Sequence, residues 1–175
     1  MKQKYLVFPA GALLIIVWMA GCSKPSSKDV VLKRFALDSL EGLITRSGVE
    51  IDPQEKKEGQ GALRITATEP AVVRLFEVGD IEIDDAALIY QARLRTENAE
   101  GNVYLEMWCL FAGKGEFFSR GLQAPLRGTT GWVTEEIPFF LNKGEQPEIV
   151  KLNVVSEGQA TIWIDDIRLL KRARQ

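Results

Sequence analysis

About ten short runs of apolar or alternating residues, each closed by turn chemistry, constrain the fold of this chain more than any other feature. The runs are Val30–Leu37, Ile44–Ile51, Ala62–Thr68, Val72–Val78, Ala87–Thr96, Asn102–Phe111, Glu116–Gly121, Trp132–Leu141, Glu148–Ser156 and Ala160–Leu170. Between them stand Asp52-Pro53, Glu58-Gly59-Gln60-Gly61, Glu69-Pro70, Gly79-Asp80, Gly101-Asn102, Gly113-Lys114-Gly115, Gly128 to Gly131, Asn142-Lys143-Gly144 and Glu157-Gly158. These residues accept positive φ or start turns. No stretch holds helical spacing for long: Leu37, Leu40, Leu43 and Ile44 make one helical turn at most. Strands this short and this regularly spaced predict an all-β sandwich or barrel and argue against βαβ units.

Alternation assigns faces. In Leu88 to Arg95 the even positions are Leu, Tyr, Ala and Leu while Gln91, Arg93 and Arg95 fall on the other side, so one face is core and one is wet. In the run from Val103 to Phe111 the odd positions are all apolar, and the opposite face carries Tyr104, Glu106, Trp108 and Leu110. That second face, amphipathic and aromatic, is the leading ligand surface. In the last run Ile162 and Ile164 are even but Ile167 and Leu169 are odd. A bulge at Asp165-Asp166 is needed to keep all four inside, and it would set two carboxylates at a strand bend, a candidate cation site.

The N-terminus carries Lys2 and Lys4, an apolar run from Tyr5 to Ala20, and then Met19-Ala20-Gly21-Cys22. This is the plan of a secretory signal, residues 1–21, and the run is shorter than the roughly 20 residues that span a bilayer. Its last four residues resemble the lipobox of bacterial lipoproteins, with Met19 where leucine is usual. The resemblance implies that Cys22 is acylated and becomes the first residue of the mature chain, on a polar linker of residues 22–29. Each buried methylene of such an anchor contributes about 0.8 kcal/mol, and stable anchoring needs more than one chain. Ser23 lacks the aspartate that retains lipoproteins in the inner membrane, so in a Gram-negative host the outer membrane is the expected address within the cell envelope.

Cleavage before Cys22 would leave 154 residues (175 minus 21), enough for one core without staples, in a domain of residues 30–171 followed by a basic tail, 172–175. Without Lys2 and Lys4 that chain carries 20 basic against 24 acidic residues, a balance that gives no reason to expect nucleic acid. Cys109 would be the sole remaining thiol, in an apolar strand that favours a buried, inert role. There is no histidine, so no Ser-His-Asp triad, Cys-His pair or imidazole zinc site can be built. A two-carboxylate glycosidase needs an opposed pair across a cleft, and no spacing here marks one. The chain therefore reads as a binding module and not an enzyme.

The ending Gly158-Gln159-Ala160-Thr161-Ile162-Trp163-Ile164-Asp165-Asp166-Ile167-Arg168-Leu169 resembles that of the jelly-roll carbohydrate-binding modules, members of the galactose-binding-like β-sandwiches. So do Gly59-Gln60-Gly61-Ala62-Leu63 before an early strand and the strands of Tyr90 and Tyr104-Leu105. The likeness spans most of residues 30–170. It implies a jelly roll, a structural calcium at Asp165 and Asp166 with Glu41 and Glu58 as further candidate ligands, and a sugar bound on the concave sheet or at the loop end. Sugars need flat aromatic faces and planar polar groups. Tyr104, Glu106, Trp108, Phe118, Arg120 and Arg95 are the candidate set, with Phe117 and Trp132 as further aromatics; Phe139-Phe140 and Trp163 read as core. The Gly-flexed segment Phe111 to Gly121 is a candidate binding loop but no phosphate loop, because no helix follows it. Glu77, Asp80, Glu82, Asp84 and Asp85 read as a solvated edge and turn, or as a second calcium site. The expected partners are a membrane, through the lipid anchor, and a glycan or, as the alternative, an envelope protein for which the sandwich is an assembly scaffold.

Overall fold

The computed structural model describes residues 29–174. The signal segment, the acylation site at Cys22, residues 23–28 of the linker and Gln175 lie outside them. Eleven strands are present among the described residues: β1 (Val30–Phe35), β2 (Val49–Asp52), β3 (Ala62–Ala67), β4 (Ala71–Gly79), β5 (Ala86–Glu97), β6 (Ala99–Phe111), β7 (Gly115–Arg120), β8 (Leu126–Gly128), β9 (Val133–Phe140), β10 (Ile149–Ser156) and β11 (Ala160–Ala173). They form two sheets, one in the order β2-β3-β11-β5-β9 with β1 also on β11, the other β4-β10-β6-β7 with β8 also on β6. The all-β jelly-roll sandwich expected from the sequence is what the chain builds.

The core follows the period-two pattern. Leu88, Tyr90, Ala92 and Leu94 of β5, with Ile162, Ile164, Ile167 and Leu169 of β11, face Val150, Leu152 and Val154 of β10 and Val103, Leu105, Met107 and Cys109 of β6. All are buried, and apolar area removed from water at about 25 cal/mol per Å² is the main favourable term holding the layers together.

The parity break in β11 is a bulge. Register against β5 shifts between Asp165 and Arg168, and Asp166 takes φ 48, a left-handed conformation that costs a non-glycine residue energy. The bulge marks a change of partner: β11 pairs with β3 from Ala160 to Ile164 and with β1 from Ile167 to Lys171. The loop between β2 and β3 fills the gap, its Lys57 and Glu58 amides donating to Asp165 Oδ2 at 2.7 and 2.9 Å.

Two stretches differ from the sequence expectation. Ile44 to Ile51 is not one strand: the Ile44 and Thr45 amides donate to Leu75 and Arg74 of β4 in one sheet, whereas β2 begins at Val49 and pairs with β3 in the other. Gly48, at φ 68, turns the chain between the sheets; its carbonyl takes the Thr66 amide, and a Cβ there would stand 3.0 Å from the Thr66 carbonyl oxygen. At the other end β11 runs to Ala173, and Arg172 pairs with Asp29 and Glu136, so the first two residues of the expected basic tail belong to the sheet.

Candidate functional site

The outward face of the β4-β10-β6-β7 sheet gathers most of the candidate residues. Cross-strand register sets Arg74, Asn153, Glu106 and Arg120 in one row over four strands, with Lys151, Trp108 and Phe118 in the next row and Val155 beside Tyr104 in the row before. The alternation of β6 dictates this, because placing Val103, Leu105, Met107 and Cys109 in the core leaves Tyr104, Glu106 and Trp108 pointing out.

Glu106 is the centre of the row. It is only 3% exposed, and its carboxylate takes Arg120 Nε at 2.6 Å and Asn153 Nδ2 at 3.0 Å. Burial alone would raise its pKa, but hydrogen bonds from Asn153, Trp108 and Arg120 together outweigh burial and hold the carboxyl below the ordinary glutamate value. Glu106 is thus a charged floor that orients its donors. The Arg120 guanidinium lies 4.5 Å from the Phe118 ring centre, and the Trp108 and Phe118 rings stand 5.0 Å apart at 47°. Trp108 is half-buried while Phe118 is 53% exposed, so the pair offers an open apolar step beside the polar row.

Tyr104 is buried, and burial with the nearby Glu157 charge raises its phenol pKa. A cavity of about 350 Å³ lined by Val72, Val155, Ser156 and Glu157 adjoins this end of the face, across β10 from Tyr104. Past Arg120 the chain stays on β6 for one bond, Gly121 amide to Leu105 carbonyl, then bows out through residues 122–125 before β8 resumes the pairing at Leu126. Leu122 is exposed at that bow, on the edge nearest Tyr104.

Arg95 stands apart from this group. It lies on β5 of the other sheet, beside Glu55, with its guanidinium 4.7 Å from the buried Trp163 ring. Trp132, before β9, is half-buried. Phe139 packs on the core, and Phe140 is exposed where core burial was expected. Three site neighbours escaped the sequence reading: Asn153, Lys151 and Arg74. The first two sit on the outward parity of β10, between the buried Val150, Leu152 and Val154. That alternation was the available signal; their meeting with β6 depends on a register that one sequence does not display.

The bulge carboxylates are held by the protein itself. Asp165 accepts the amides of Lys57, Glu58 and Asp166, yet burial, the largest influence, leaves its pKa above the ordinary aspartate value. Asp166 pairs with Arg34 at 3.0 Å and Arg168 at 2.6 Å, and Glu58 with the same two arginines. Glu41 is exposed in the turn after β1. Among the described residues no three acidic or thiol side chains converge as a metal cage. In the acidic stretch after β4, Ile81 and Ile83 point inward and Asp84 caps the Gly144 amide at 2.6 Å.

No family model matches this chain, and no curated protein matches it in sequence. Its fold does have neighbours among solved structures. It is similar to the CBM22-1 xylan-binding domain from Paenibacillus barcinonensis Xyn10C, with a TM-score of 0.61 at 11% identity over 86% of this chain and 99% of that one. A xylan-binding domain from CBM 22 gives 0.58 at 9% identity over 83% and 97%, and a family 16 carbohydrate-binding module 0.50 at 14% over 70% and 84%. At these identities the likeness is one of fold alone: a jelly-roll β-sandwich.

Proposed function

We propose that this chain is a non-catalytic module that binds carbohydrate on the outward face of the β4-β10-β6-β7 sheet, held in the cell envelope by an acylated Cys22. The observation that carries the reading is the polar row of Arg74, Asn153, Glu106 and Arg120 flanked by the Trp108 and Phe118 rings. Aromatic faces take the C–H side of a sugar ring, and fixed planar groups take its hydroxyls. The fold neighbours named as xylan-binding support the same reading by analogy of fold. Glu106 has no free acid or base role here, because proton transfer would require it to release Arg120 and Asn153.

The test is retention of the mature chain, carrying Cys22→Ser so that it is soluble, on a broad panel of immobilised glycans. Trp108→Ala and Phe118→Ala run alongside, with thermal melts to check folding. Binding to a panel member that both variants lose while still folded is the expected result; equal binding by the variants would move the site elsewhere. For the anchor, mass spectrometry of the membrane fraction should find an acylated peptide beginning at Cys22, absent in Cys22→Ser.

A second reading, a protein-binding scaffold, draws on Phe117, Phe118 and Leu122, all about half exposed along one edge of the sheet. No retention on any glycan, with capture of a defined envelope protein that Phe117→Ser and Leu122→Ser abolish, would favour it.

A further inference from the structure

We infer that this face, if it takes glycans as proposed above, is selective for uncharged chains and turns acidic ones away, because each cation at its centre is committed to a carboxylate of its own.

Three basic side chains stand in the central rows. Arg120 is bound to Glu106 at 2.6 Å, Lys151 to Glu116, and Arg74 to Glu77 at 2.7 Å. The three cations and three anions leave the middle of the face with no net charge. Farther along, Arg127 reaches Asn102 Oδ1 at 2.5 Å, and the same amide donates to Glu157 at 2.6 Å, so that corner is also met by an acid. A uronate carboxylate arriving at this face finds no unpaired cation in the central rows.

Exchange of partners is disfavoured for a structural reason. Glu106 is buried, and pulling Arg120 onto a ligand carboxylate would leave that anion with only Asn153 and Trp108, a loss that a surface contact does not recover. The depressed pKa of Glu106 means mild acid does not free Arg120 either. The guanidinium also lies over the Phe118 ring, 4.5 Å from its centre, so one of its sides is covered. What remains for a ligand is the apolar step of Trp108 and Phe118 and the outer N–H groups of paired arginines, which suit neutral hydroxyls.

Lys151 and Glu116 give the handle for a test, being a partly exposed pair whose acid can be changed without opening the core. The mature chain with Cys22→Ser is measured on neutral polymers (xylan, mannan, galactan) and on polygalacturonate and alginate, at about 0.01 M and about 1 M salt, where the screening length falls from roughly 30 to 3 Å. The expected wild-type result is retention on a neutral polymer, changed less than about twofold by salt, and none on either uronate. Glu116→Gln, which strands Lys151, should gain retention on the uronates at low salt, by up to about fivefold over background, and lose the gain at high salt. Salt-sensitive retention of the wild type on a uronate polymer overturns the inference while leaving carbohydrate binding intact. Retention on no polymer of either kind overturns the carbohydrate reading itself and this inference with it.

Discussion

Removing Arg120 asks directly whether the Glu106 row is an organised floor or a surface coincidence. In Arg120→Ala, Glu106 keeps Asn153 and the Trp108 indole but loses its one cationic partner among the described residues. The anion's side chain is 4% exposed and the cation's 36%, so the pair lies between two regimes. An exposed ion pair is worth about 0–1 kcal/mol, and breaking a buried one costs about 3–5 kcal/mol, so a loss of about 2 kcal/mol is expected here. At roughly 2–4 °C per kcal/mol for a chain of this size, the melting temperature should fall by about 4–8 °C at pH 7. Acid adds a second readout. Glu106 has a folded pKa below its unfolded value, so its contribution to stability is present above the ordinary glutamate range and is lost as pH falls through the depressed folded value. Without Arg120, its hydrogen bond and its charge no longer hold the carboxyl down and the pKa moves upward, so the variant has less of this contribution to lose. The gap between wild type and Arg120→Ala, read by urea unfolding with unchanged m, should therefore narrow as pH drops from 7 towards 3. A gap under about 0.5 kcal/mol at pH 7, or one that acid does not alter, would refute the account of Glu106 as a charge held by its donors.

Tyr90 offers the opposite sign. Its hydroxyl is buried in the core with no hydrogen-bond partner among the described residues, and burial pushes its pKa well above the ordinary phenol value. Tyr90→Phe should stabilise by about 1–3 kcal/mol in a thermal melt, and a loss of stability would mean that an ordered water holds the hydroxyl. Asp165→Ala removes the acceptor for three amides at the bulge and should cost about 2 kcal/mol, with faster hydrogen exchange at Lys57 and Glu58; exchange unchanged there would show that Asp165 does not pin the loop. For calcium, Asp166 is already neutralised by Arg34 and Arg168, so chelator and millimolar calcium should give the same melting temperature. A reproducible rise with calcium would support the metal site expected from the sequence, since an ion bound to the folded state must stabilise it.

What was legible in the sequence is what strand parity encodes. The β6 alternation separated a core face from one bearing Tyr104, Glu106 and Trp108, and the parity break in β11 located a bulge at Asp165-Asp166, where φ turns positive and the strand exchanges β3 for β1. Parity assigns a side chain to a face of its own strand but does not say which sheet the strand joins. Arg95 looked like a companion of Trp108 on that footing, yet its strand lies beside β11 in the opposite layer, where it covers Trp163. The same limit hid Asn153: nothing local marks it, and its contact with Glu106 crosses 47 residues of chain through the β6 to β10 register. Short pairings suffer similarly. β8 makes few bonds and is held by its place on β6, and Ile44 to Ile51 reads as one apolar run although its two ends bond to different sheets. Local alternation thus determines how deep each side chain sits, while the composition of a binding face is decided by pairings between strands far apart in sequence. That is why the centre of the polar row, Glu106, could be named from its own strand and the two residues beside it on β10 could not.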